Sequence, residues 1–301
     1  MSDVTLPRAA RYEHLTRIRA SRPEEIPAAA ARRQRRGLPA EGERLLIIAA
    51  DHTARGALGV RDRPLAMASR ADLLDRLRTA LARPGVDGVL ASPDVLEDLL
   101  LLGALEEKLA FGSMNRGGLL GSVFEADDRF TGFDAASIEA MRLDGGKMLC
   151  RIDPDDHATV TTLESCARAV SDLAGRRLMA MVEPFWSRRT ESGALRNDLS
   201  PEAVIKAISV AQALGTTSAY TWLKIPAIAE MEQVMAATTL PALLLGGDPP
   251  DIDAAHADWD RALRLPGVRG LVVGRALLYP PDDDVAAAVD GAAALVGEAR
   301  P

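Results

Sequence analysis

Aromatic residues are scarce in this chain, at 4%, and lysine is scarcer: of 36 lysines and arginines, only Lys108, Lys147, Lys206 and Lys224 are lysine. The low aromatic content argues against a platform on which nucleic-acid bases stack. A net charge of −7 argues against the basic face that phosphate-backbone binders carry. Two cysteines, Cys150 and Cys166, are too few and too separate for a disulfide framework or a zinc site. The four histidines, His14, His52, His157 and His256, are too scattered for a metal centre, so no metal and no cofactor is called for. The opening "MSDVTLPRAARYEH" has no apolar leader, and no apolar run of roughly 18 residues follows. A soluble, cytoplasmic protein with no nucleic-acid or membrane partner is expected, and a homo-oligomer is left open. The basic run "RRQRR", Arg32 to Arg36, reads as a solvated helix end.

What the chain does have is apolar bulk. Hydrophobic residues make up 48% of 301, enough for a sizeable core. Residues 1–43 read as a polar, helical N-terminal extension broken by Pro23, Pro27 and Gly37; residues 44–301 change character. There, short apolar runs alternate with stretches of helical periodicity. "RLLIIAADH", "VDGVLASP", "GGLLGSV" (117–123), "GGKMLCRID", "RRLMAMVEPFW", "SAYTWLKIP", "LPALLLGGD" and "VRGLVVGRALL" read as eight strands buried on both faces. "RADLLDRLRTALAR", "DVLEDLLLLGALEEKLA", residues 155–174 and the run opened by Ser200-Pro201-Glu202 read as helices between them. A final alanine-rich helix covers roughly 284–298. A doubly wound open sheet shows the same alternation with fewer units, so the count favours a (β/α)₈ barrel, α/β in class.

Barrel chemistry sits at the C-terminal ends of the strands. Strand one ends in Asp51 and His52; strand four carries Lys147 and Arg151; strand five ends in Glu183; strand six ends in Lys224. Stranded in an apolar interior, each would cost several kcal/mol unless paired. Lys224 is the most telling, because an arginine-rich chain has kept an amine there. Arginine stays protonated, whereas a desolvated lysine, or one beside another cation, can shed its proton and attack a carbonyl. Alternation places Tyr220, Trp222 and Lys224 on one face of the strand. Lys147, lying early in its strand, must reach upward to join it. Glu183 is placed as a general acid/base or as the counter-ion of a lysine, and Asp51 as an orienting carboxylate. Strands seven and eight end in Gly246-Gly247 and Gly274-Arg275, where backbone can approach an anion and a guanidinium can clamp it. His52, Arg55 and Arg151 stand near enough in sequence to leave contact with a ligand open.

"LLIIAADH", "GGKMLCRIDPDD", "LMAMVEP", "AYTWLKIP", "LLLGGD" and "GLVVGRALLY" resemble, in order and spacing, the strand motifs of the class I aldolases of the deoxyribose-phosphate and tagatose-bisphosphate aldolase superfamily. The similarity runs from about residue 44 to 280 and is nearest to actinobacterial aldolase-like proteins associated with inositol catabolism. Two positions depart from the tagatose-type pattern. Ile225 and Pro226 follow the lysine, where that pattern has a glutamate at the second position and then proline. Thr53 stands two residues after the aspartate, in place of an arginine. The resemblance implies a Schiff base on Lys224, with Asp51, Lys147 and Glu183 around it and a phosphate pocket at Gly246, Gly247, Gly274 and Arg275. It implies metal-independent carbon–carbon cleavage of a phosphorylated ketose or keto-sugar acid, with 5-dehydro-2-deoxygluconate 6-phosphate as a candidate. Two other functions stay open: another Schiff-base reaction, such as a transaldolase-like transfer or a dehydration, and a non-catalytic barrel that binds a sugar phosphate.

Overall fold

A computed structural model describes residues 11–191, 193–249 and 251–299. Five-residue runs such as Leu45-Leu-Ile-Ile-Ala49 are apolar at every position, and all five side chains are buried. Such a segment is stable only where both faces are covered, the situation of a parallel strand inside a ring of helices. The chain solves this eight times. Strands β1 (Leu45–Ala49), β2 (Gly88–Ala91), β3 (Leu109–Ser113), β4 (Gly145–Ile152), β5 (Met179–Arg189), β7 (Thr221–Pro226), β8 (Ala242–Leu245) and β9 (Val268–Val273) pair in parallel. Pairing of β1 with β9 and of β4 with β5 closes the sheet into a (β/α)₈ barrel. Strand β6 (Leu195–Asp198) lies outside the ring, antiparallel to the end of β5.

Two helices, α1 (Glu13–Ser21) and α2 (Glu25–Arg32), precede the barrel. The others are α3 (Arg70–Leu81), α4 (Pro93–Leu101), α5 (Ala135–Ala140), α6 (Ala158–Gly175), α7 (Pro201–Ala211), α8 (Met231–Ala236), α9 (Ile252–Leu263), α10 (Arg275–Leu278) and α11 (Val285–Glu298). Their starts are written locally: the Ser69 hydroxyl accepts from Asp72 N–H at α3, and that of Ser200 accepts from Ala203 N–H at α7, with Pro201 in the first turn. No described helix is long and apolar enough to cross a membrane.

Strand alternation divides the apolar residues into two sets. Outward side chains pack under the helices, among them Cys150, which like Cys166 of helix α6 is free and buried. Inward ones, among them Leu45, Ile47, Leu109, Phe111, Met181 and Val272, fill the lower barrel. The inward positions one and two steps further along the strands are polar, and there the site lies.

Three sequence expectations are corrected. The third strand is Leu109–Ser113, not residues 117–123, which form part of the loop after it. The second barrel helix accordingly stops at Leu101, short of the run that seemed to continue it. Gly103 follows in the left-handed region, φ 65°, and turns the chain toward the strand. Past the expected fifth strand, β5 runs on to Arg189 and pairs with β6 as a hairpin, with Ser187 opposite Asn197.

The basic run is solvated only in part: Arg32, Gln34 and Arg35 are exposed, but Arg33 is buried. Arg33, only 1% exposed in its side chain, donates to the carbonyls of Lys108 (2.8 Å) and Arg142 and pairs with Asp144 at 3.1 Å. Arg35 meets the other oxygen of Asp144 at 2.9 Å, and Arg36 reaches Glu43 and, at 3.1 Å, Asp87. Asp87 and Asp144 directly precede β2 and β4, so the run clamps the N-terminal end of the barrel, opposite the site.

Candidate active site

Four strand ends deliver the charged residues, because inward parity on each strand falls on them. Asp51 continues the inward series Leu45, Ile47 and Ala49 beyond β1; Lys147 is inward on β4; Glu183 on β5; Lys224 on β7. The structure brings all four together. The Lys147 amine, with no exposed side-chain surface, contacts Glu183 Oε2 and lies 3.3 Å from Asp51 Oδ2. The Lys224 amine lies 2.8 Å from Glu183 Oε1, so one carboxylate bridges two amines.

A fifth member comes from a residue that strand reasoning did not single out. Arg116, in the loop after β3, pairs with Asp51 Oδ2, and its Nε donates to Ser113 Oγ at 3.2 Å. Ser113 in turn donates to Asp51 Oδ2 at 3.2 Å. The same loop carries Asn115, whose side chain locks it to β4 through Leu149: Nδ2 donates to the carbonyl at 2.6 Å and Oδ1 accepts from N–H at 2.7 Å. The misplaced third strand hid this loop; its signal is the density of Asn, Arg, Glu and Asp over 115–129.

The pKa directions follow from burial and crowded charge. Burial pushes the Lys147 amine well below its ordinary value, and Arg116 adds to the effect against the opposing pull of Glu183. Burial likewise lowers Lys224, opposed by Glu183 and reinforced by Arg116 and Arg275. For Glu183 burial works upward, but Lys147, Lys224 and Arg116 outweigh it and hold the carboxyl well below the usual glutamate range. Burial brings Arg116 down to about 10, which leaves it charged at neutral pH. Burial, then Arg275 and Lys224, drive His52 well below an ordinary histidine, so it is neutral there.

Above this cluster a cavity of about 390 Å³ opens at the C-terminal end of the barrel. Lys224 and Glu183 form its floor, and Gly246, Gly247, Gly274 and Arg275 line one wall. Arg275 is 3.5 Å from Asp248, and its Nε has no partner among the described residues. A Cβ at Gly274 would collide with the Ala49 carbonyl oxygen and lie 2.9 Å from His52 Cε1, so glycine is required there for close packing. The opposite wall holds Arg55, Arg116 and Arg151. The fork of Arg151 is taken up by Asp128 at 2.5 Å and Glu125 at 3.5 Å. Arg55 reaches Glu125 at 3.8 Å, while its Nη1 and the Nδ1 of His52 have no partner among the described residues. Of the three residues left open by sequence, Arg55 and His52 therefore have polar atoms to offer a ligand and Arg151 is committed. No group of three or more described His, Cys, Asp or Glu residues is arranged to hold a metal ion.

Comparison with known proteins places this architecture. A crystal structure of Cgl0159 from Corynebacterium glutamicum is 51% identical, with a TM-score of 0.93 over 95% of this chain and 97% of that one. An archaeal fructose-1,6-bisphosphate aldolase, with its catalytic lysine covalently bound to the carbinolamine intermediate of its substrate, is 19% identical over 90% and 99% of the chains, with a TM-score of 0.65. A fructose-bisphosphate aldolase from Slackia heliotrinireducens is 14% identical over 85% and 86%, with a TM-score of 0.61. The two aldolases share the barrel fold with this chain. No protein of curated function matches it. The sequence profile of the Cgl0159-like family matches residues 43–293, and the chain belongs to that family.

Proposed function

We propose that this protein is a class I aldolase that cleaves a phosphorylated ketose or keto-sugar acid through a Schiff base on Lys224. The observation that carries the reading is a buried amine at the end of the sixth barrel strand, β7, sharing the carboxylate of Glu183 with a second buried amine, Lys147. Fold likeness to two fructose-bisphosphate aldolases supports it.

In this reading the uncharged Lys224 amine adds to the substrate ketone. The carbinolamine loses water to give an iminium. The iminium draws electrons from the neighbouring bond while Glu183 takes the proton of the hydroxyl on the far carbon. That carbon–carbon bond breaks, the far carbon leaves as an aldehyde, and the electron pair remains as an enamine. Glu183 returns the proton to the enamine carbon, and water hydrolyses the iminium, releasing the ketone and the free lysine. Lys147 holds Glu183 and disfavours a charge on Lys224; Asp51 orients Lys147. Gly246, Gly247, Gly274 and Arg275 bind the phosphate. With 5-dehydro-2-deoxygluconate 6-phosphate, a substrate of inositol catabolism, the fragments are dihydroxyacetone phosphate and malonate semialdehyde. The cavity is of the size that takes small phosphorylated sugars.

Borohydride trapping with dihydroxyacetone phosphate, followed by peptide mass mapping, tests the reading. A reduced adduct on Lys224, lost in Lys224→Met, is expected. An adduct on Lys147 instead would transfer the nucleophile's role. No adduct across a panel of ketones and aldehydes, with ligand binding retained in Lys224→Met, would leave a sugar-phosphate-binding barrel.

A further inference from the structure

The buried cluster holds three cations, Arg116, Lys147 and Lys224, against two carboxylates, Asp51 and Glu183. Its neighbours are balanced: Arg55 and Arg151 face Glu125 and Asp128, and Arg275 faces Asp248. The surplus positive charge of this group lies in a part of the molecule where an unpaired charge is most costly.

We propose that Arg116 is a positioning residue that sets the protonation of the Lys147–Lys224 pair: it adds a third cation to a group of two carboxylates, Glu183 and the Asp51 that it shares with Lys147, so the pair stands one proton short at neutral pH. This rests on the aldolase reading only for its purpose, since an amine must be uncharged to attack a carbonyl; the charge count itself does not depend on any substrate.

The geometry allows little else. Arg116 is buried against Asp51 and Ser113, and its backbone N–H donates to Thr131 Oγ1 at 3.2 Å, which fixes the loop at that point. A guanidinium keeps its proton far more firmly than an ammonium, so the surplus is shed by an amine. The groups facing the pair come from every side: Asp51 and His52 beyond β1, Arg116 after β3, Glu183 on β5, and Arg275 beyond β9. His52 is neutral and adds no charge. Because Glu183 touches both amines, the proton deficit belongs to the pair and not to either lysine.

The scarcity of lysine makes the test direct. Full-length protein grown with lysine isotope-labelled at Cε gives signals from four side chains, and Lys108, half-buried with its amine on the Val86 carbonyl, and the exposed Lys206 report that the fold is intact. In the wild type one signal of the Lys147–Lys224 pair titrates below that of Lys206. Arg116→Gln leaves two cations with two carboxylates and moves that midpoint up. Asp51→Asn leaves three cations with one carboxylate and moves it down. Arg116→Lys brings in an amine that can shed the surplus proton itself, so the midpoint of the Lys147–Lys224 pair rises part of the way toward that of Arg116→Gln. If the midpoint of Arg116→Gln is upward by one unit, its borohydride trapping rate at neutral pH falls about tenfold and recovers at higher pH. A wild-type pair that titrates with Lys206, a midpoint that falls in Arg116→Gln, or one that rises in Asp51→Asn, overturns the proposal. If Arg116→Gln fails to fold, Asp51→Asn and Arg116→Lys decide it. The aldolase reading fails separately, by absence of any trapped adduct in the wild type.

Discussion

Arg33 gives the sharpest test of how this barrel is held together. Replacing it with alanine removes a guanidinium that is 1% exposed and that donates to two backbone carbonyls, those of Lys108 and Arg142. Each carbonyl left without a donor in a buried place costs about 1–3 kcal/mol. Asp144 is not abandoned, because Arg35 at 2.9 Å and the Ala110 N–H at 2.8 Å remain on it. The larger penalty of an uncompensated buried charge, about 3–5 kcal/mol, is therefore avoided. Release of the buried Arg33 charge returns part of the loss. The expected cost is about 3 kcal/mol, a sizeable share of the roughly 5–15 kcal/mol that folded domains possess. Arg35→Ala is the control: that side chain is 40% exposed, and its loss costs about 1 kcal/mol or less. Urea unfolding followed by far-ultraviolet circular dichroism reads both, as shifts in midpoint at unchanged slope. An Arg33→Ala protein within about 0.5 kcal/mol of wild type, the range of ordinary surface changes, would refute the clamp.

Further outcomes concern the site. Glu183 has its folded pKa held below the ordinary 4.5, so its ionic contribution to stability is complete above that value and is lost as pH falls through the folded one. Stability curves of Glu183→Gln and wild type should therefore differ most near neutrality and converge in acid; a constant gap would contradict the pairing. Arg275→Gln should raise KM for a phosphorylated substrate by about tenfold or more with a smaller effect on kcat, the worth of a hydrogen bond to a charged group. An equal rise for the dephosphorylated sugar would remove Arg275 from the anion site. Gly247, at φ 59° with nothing within 4 Å, should tolerate alanine at about 1–2 kcal/mol. Gly274→Ala must move Ala49 or His52 and should cost stability and trapping rate together; wild-type trapping in that variant would dismiss the close approach as unimportant.

Strand alternation made most of this legible. Seven of the eight barrel strands fall where apolar runs place them, and Asp51, Lys147, Glu183 and Lys224 meet because each continues an inward series of its strand. The third strand was hidden because "DVLEDLLLLGALEEKLA" is apolar enough to read as one long helix, which a turn over residues 102–107, with Gly103 and Glu107 in the left-handed region, divides from the strand. Arg116 was hidden with it, since a loop has no period from which to infer direction. The basic run misled for a different reason. Of its residues only Arg36 meets a carboxylate close in sequence, Glu43, whereas Arg33 finds its own 111 positions away.

That separation bears on how the protein is made. Residues 11–43 leave the ribosome before the barrel strands, but the carboxylates they clamp, Asp87 and Asp144, follow later, and β1 waits for β9 before the ring can close. Loop closure over such distances has an entropic cost that grows slowly with length but must be met before any contact rewards it. A segment made before the barrel is thus among the later ones to find its place: the arginines that seal the base of the barrel dock onto strands that do not yet exist when the arginines emerge.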